Sequence, residues 1–97
     1  MPTYVVLTNF TDQGIKGVKE SADRFEGGRP MLEQMGITVK THYWLMGRYD
    51  LLTVIDAPNA ETASRFALTV GMQGNGQTET MRAFSLEEFR EILQGMP

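Results

Sequence analysis

Two strand-like runs, Ile37 to Met46 and Leu51 to Asp56, meet across the four residues Gly47-Arg48-Tyr49-Asp50, and this hairpin most narrows the folds open to the chain. A connection so short joins antiparallel neighbours only, because a parallel pair needs a crossover of about a dozen residues or more. Glycine supplies the backbone freedom of the turn, and aspartate supplies an acceptor for its amides. Along the first run Ile37, Val39, Thr41, Tyr43 and Leu45 alternate with Thr38, Lys40, His42, Trp44 and Met46, so strict alternation puts the two sets on opposite faces.

A strand and then a helix precede the hairpin, and a helix and then a strand follow it. Tyr4 to Phe10 is β-branched and aromatic, with apolar side chains on both faces, as in a central strand. Thr11 or Asp12 can cap a helix whose apolar stripe is Ile15, Val18, Ala22 and Phe25. Gly27-Gly28-Arg29-Pro30 predicts a kink or break, with Pro30 opening a last segment that ends at Gly36. After the hairpin, Pro58 stops the strand and Asn59 caps a second helix with Ala60, Ala63, Phe66, Ala67 and Val70 inward. Gly71 to Gly76 reads as a flexible connection, and Gln77 to Phe84 as a polar edge strand. Ser85 and Glu88 form a capping box for a final helix whose expected buried side is Leu86, Phe89, Ile92, Leu93 and Met96. The order β-α-β-β-α-β plus a C-terminal helix predicts an α+β, ferredoxin-like domain over residues 1–97, with a four-stranded antiparallel sheet. Two helices on one face leave the other in want of cover, which a second protomer packed sheet to sheet would supply.

Composition excludes several function classes. The 97 residues hold no cysteine and one histidine. That removes disulfides, thiolate nucleophiles, Cys-ligated metals and any mechanism needing two histidines from one protomer. The net charge of −3 argues against a nucleic-acid surface, which needs clustered positive charge. The start Met1-Pro2-Thr3-Tyr4 lacks the basic region and apolar run of a secretory signal, and no apolar run suits a membrane span, so a cytoplasmic location is expected.

The run Tyr43-Trp44-Leu45-Met46-Gly47-Arg48-Tyr49-Asp50, with Asp56-Ala57-Pro58 after it, resembles the GYD-domain family, small bacterial and archaeal proteins named for the Gly-x-Tyr-Asp turn. The opening Pro2 to Lys16 and the later Thr78 to Phe84 resemble it too, so the likeness covers nearly the whole chain. It implies a fold of the dimeric α/β barrel type, whose members include small monooxygenases, haem-degrading enzymes, isomerases and plain ligand binders; it implies no one activity. Gly27 to Pro30 and His42 depart from the pattern expected of the family.

His42 is the one side chain that titrates near neutrality unperturbed, and it is the candidate catalytic residue, either as a base or as a proximal ligand to haem. The competing role is a strand histidine at an interface. Tyr43, Trp44 and Tyr49 could orient a flat ligand, or fill a core or a dimer contact. Arg82 could neutralise a ligand carboxylate, or pair across strands; Glu79 falls on the opposite face of its strand. Gly47, Arg48 and Asp50 read as structural turn residues, with Asp50 accepting from turn amides. Gly71-x-x-Gly74-x-Gly76 follows a helix, whereas a dinucleotide fingerprint follows a strand, so it reads as a cap and a loop. The many methionines, Met31, Met35 and Met46 among them, suit an adaptable interface or ordinary core filling. Two functions remain. One is an oligomeric binding or assembly module, homodimer or larger, with a modest cleft for a small apolar or aromatic ligand and no required cofactor or metal. The other is a small cofactor-independent or haem-dependent monooxygenase or isomerase.

Overall fold

The computed structural model describes residues 1–97. Strands β1 (Thr3–Phe10), β2 (Thr38–Trp44), β3 (Leu51–Asp56) and β4 (Gly76–Ala83) form one antiparallel sheet in the order β2-β3-β1-β4. Helices α1 (Asp12–Lys16) and α2 (Ser21–Gln34) join β1 to β2, α3 (Ala60–Gln73) joins β3 to β4, and α4 (Leu86–Gln94) follows β4. This is the expected α+β, βαββαβ arrangement with a C-terminal helix; β1 is central and β4 lies at an edge.

The register assigns the faces. Tyr4 pairs with Ile55 and Val6 with Thr53, and these four residues are buried under the helices. Leu32 of α2, Ala63 and Phe66 of α3, and Ile37 and Ala57 complete that core, with Met35, Val39 and Val70 packed against it. On the other face Val5 pairs with Val54 and Leu7 with Leu52, and only partial burial protects them. The molecule measures 51 × 31 × 19 Å. The short dimension is that of one sheet plus one helix layer, given the roughly 10 Å spacing of packed layers.

Three expectations are corrected. The first helix breaks at Gly17, not at Gly27 to Pro30. Gly17 ends α1, a 3₁₀ turn covers Val18–Glu20, and α2 then runs unbroken through both glycines and Pro30. The carbonyl that Pro30 leaves unpaired belongs to Glu26; both residues are exposed, so water can satisfy it. Ile15 and Val18 are consequently exposed, and the inward stripe of α2 is Ser21, Phe25, Gly28, Leu32 and Met35. Second, β2 does not alternate strictly. A bulge between Val39 and Thr41 places Val39 opposite Ile55, hence on the core side with His42, and not with Thr41 and Tyr43. Third, the segment after α3 is pinned and not loose. Gly74 caps α3 at φ +82°, the Thr11 amide donates to the Asn75 carbonyl at 3.2 Å, and the Gln13 side chain donates to the Gln73 carbonyl and to Asn75 Oδ1.

Candidate functional site

His42 and Trp44 stand on the helix-covered side of β2, beneath α2. The registers His42 to Thr53 and Trp44 to Leu51 fix that side. His42 Nδ1 lies 2.8 Å from Thr53 Oγ1. The Phe25 ring stacks on the imidazole, centroids 3.8 Å apart and planes at 11°, and Trp44 meets it edge-on at 4.5 Å. Trp44 Nε1 donates to Ser21 Oγ at 2.9 Å, which ties β2 to the first turn of α2. Nε2 of His42 is sealed from solvent and has no hydrogen-bond partner. Burial, and secondarily the positive charge of Arg29, hold the His42 pKa below its usual 6.5. The imidazole is therefore neutral at physiological pH, with Nδ1 bonded to Thr53 and Nε2 without a partner, and the residue lines the cleft between helices and sheet.

The same enclosure argues against haem. A proximal histidine needs an open ring nitrogen facing the iron, whereas Nε2 of His42 is sealed from solvent and Nδ1 is bonded to Thr53. The adjoining cleft between helices and sheet holds about 160 Å³. An engineered cavity of about 150 Å³ takes one benzene ring, so a macrocycle does not fit.

The remaining residues singled out by sequence are dispersed. Tyr43 pairs with Leu52 on the uncovered face of the sheet and is largely exposed. The Tyr49 hydroxyl donates to Glu79 Oε2 at 2.9 Å, which raises the tyrosine pKa because ionisation would lose that bond. Arg82 reaches Glu88 Oε2 at 3.2 Å and lies 4.5 Å from the Phe84 ring centroid, so its charge is already engaged by the cap of α4. Glu88 in turn accepts from the Ser85 amide and from Arg82, and both lower its pKa. At the turn, Gly47 takes φ +111°, which a side chain would strain. Asp50 Oδ2 accepts from the Phe10 amide at 2.8 Å, so it anchors the end of β1 and not the turn's own amides. Arg48 lies 5.7 Å from the Tyr49 ring centroid.

The cleft brings His42 together with residues that the sequence does not mark as site residues. Thr8, Phe10, Leu51 and Thr53 come from the sheet, Arg24, Phe25 and Gly28 from α2, and Phe66 and Val70 from α3. Two apolar surfaces are also left without cover. One is the sheet face with Val5, Leu7, Leu52, Val54, Tyr43 and Met81. The other is the stripe of α4, Leu86, Phe89, Ile92 and Leu93, with Met96 just beyond the helix; none is buried, which corrects the expectation of a buried side, because the other elements leave this stripe uncovered.

Comparison with known proteins agrees with this picture. The family model described as the GYD domain matches residues 4–93. A Thermus thermophilus protein named glutamine synthetase and cystathionine beta-lyase binding protein is 30% identical over 89 residues, which cover 91% of this chain and 94% of that protein. The crystal structure of FFRP-DM1 superposes with a TM-score of 0.60 at 23% identity, covering 87% of this chain and all of that one, and so shares the fold.

Proposed function

The chain belongs to the GYD-domain family, and from that premise we propose that it is an oligomeric protein-binding module that docks on other proteins through the exposed stripe of α4. The observation that carries the reading is the stripe itself. Its five apolar residues, four on α4 and Met96 just beyond it, are between 43% and 70% exposed; the helix opens on a capping box, and its polar side is Glu87, Glu88, Arg90 and Glu91. Patches of this kind on small proteins mark interaction sites. An amphipathic helix laid in a groove is a recurrent mode of protein recognition. The relative named as a binding protein for two enzymes supports the same class of function. Self-association belongs to the uncovered sheet face, where a second copy would shield Val5, Leu7, Leu52 and Val54. The cleft beneath α2 is left for a small molecule.

Glutamine synthetase and cystathionine beta-lyase are the partners to test, on the strength of that relative. Binding of each purified enzyme is measured by biolayer interferometry for wild type, Phe89→Ser and Ile92→Glu, with light scattering of the wild type and Leu52→Glu in parallel. Wild type should bind at least one enzyme and run larger than a monomer. Each α4 variant should weaken enzyme binding about tenfold or more, the loss typical of a truncated apolar anchor, and Leu52→Glu should reduce the assembly without touching α4. Unchanged binding by both α4 variants, or a wild type that stays monomeric and binds neither enzyme, would refute the proposal.

A further inference from the structure

We infer that the cleft beneath α2 is a binding site for a small monocarboxylic acid with an apolar body no larger than one ring. The argument starts from size. A volume of about 160 Å³ matches cavities that accept a benzene ring. Phe10, Phe25, Leu51, Phe66 and Val70 surround it from the sheet, α2 and α3, so its walls suit an apolar body.

Charge then selects the head group. Arg24 is the one charged residue of the lining. One of its terminal nitrogens donates to the Gly17 carbonyl at 2.9 Å, which holds the guanidinium in place. No carboxylate stands within ion-pairing distance of it, although Arg29, Lys40 and Arg82 each have one. Its remaining N–H groups have no carboxylate partner, and an arriving carboxylate would match the planar guanidinium fork in two parallel hydrogen bonds. Thr8 and Thr53 add hydroxyls at the sheet wall. A neutral ligand would leave the guanidinium unused, and a dianion would bring one charge too many into an apolar space. The site lies on the helix side, away from both uncovered faces, so it does not depend on the docking reading and either can fail alone.

Titrations of the full chain with sodium benzoate and sodium isovalerate, followed by amide shifts in two-dimensional NMR, test the proposal against benzamide, the neutral isostere of benzoate. For ligands of this size the dissociation constants should fall between about ten micromolar and a few millimolar. At least one of the two acids should saturate, with shifts centred on Phe25, Leu51 and Phe66, and benzamide should bind roughly tenfold more weakly than benzoate or not at all. Arg24→Gln should weaken acid binding about tenfold. Gly28→Leu gives an independent readout: a Cβ at Gly28 meets nothing within 4 Å, so the larger side chain fills the void while keeping the helix, and binding should be lost. Failure of both acids to saturate, benzamide binding as tightly as benzoate, or acid binding unchanged in Arg24→Gln would each overturn the inference.

Discussion

Replacing Gly27 and Gly28 together by alanine should make the protein substantially more stable. Both lie inside α2, neither has a positive φ, and a Cβ built at either meets nothing within 4 Å. Steric need therefore does not explain them. Each glycine in a helix interior costs about 0.8–1.0 kcal/mol relative to alanine, through the backbone freedom it surrenders on folding. The two positions are consecutive, so their side chains do not face one another and the gains should nearly add, to about 2 kcal/mol. For a domain of this size that corresponds to roughly 8–16 °C in Tm. A far-UV circular dichroism melt of the double variant against wild type reads this directly, and urea denaturation with a higher midpoint at unchanged slope would show that stability rose without a change in the surface exposed on unfolding. A Tm that stays put or falls would refute the reasoning. It would mean that something packs against these positions in solution, such as another chain seated on α2.

Two further outcomes follow from individual contacts. Gly14→Ala should cost roughly 2–3 kcal/mol or more, because the new Cβ would sit 1.9 Å from the Asn75 carbonyl oxygen in a segment already bonded to that oxygen through the Thr11 amide; an unaltered melting temperature would deny the close approach. Acidification should destabilise the protein through His42. Its folded pKa is held below 6.5 by burial and by Arg29, so as pH falls the unfolded chain takes the proton first, and stability is lost from about pH 6.5 downward until the folded pKa is passed. His42→Phe keeps a ring against Phe25 and removes the proton site, so its Tm should vary less between about pH 7 and 5 than that of wild type; parallel curves would assign the pH dependence elsewhere.

The hairpin, the strand order and the caps were legible in sequence because each rests on local chemistry: a tight turn, Asn59 accepting from the Thr62 amide, the Ser85 and Glu88 box. What escaped depends on contacts between distant segments. The bulge at Lys40 flips the pleat without any glycine or proline to mark it, so alternation alone puts Val39 on the wrong face. Propensity puts the helix break at Gly27 to Pro30, because glycine and proline are the poorest helix formers. In the fold, the packing of Phe25 and Leu32 holds α2 together and the chain turns at Gly17, where Arg24 reaches back to the carbonyl. His42 and Trp44 could be named as a pair, but their enclosure by Phe25 and Ser21 belongs to the way α2 crosses β2. Arg24, Phe10 and Phe66 come from three elements far apart in sequence, and no spacing could have joined them.

The missed helix period and the cleft have one cause. The inward stripe of α2 falls on Ser21, Phe25, Gly28, Leu32 and Met35, with spacings of four, three, four and three residues. That is a regular apolar period in which two of five positions hold residues that register as non-apolar or as helix breakers. Ser21 and Gly28 are also the two smallest side chains that α2 contributes to the cleft. A stripe with leucine at both positions would have been recognised at once as a helix, and would have packed to the close density expected of a small core. With serine and glycine there, the helix lies over the sheet without filling the space between Phe25 and Phe66, and the void remains. The stability forgone in α2 is thus localised at the roof of a space that can take a ring, which is the pattern expected where a small ligand, and not a larger side chain, completes the packing.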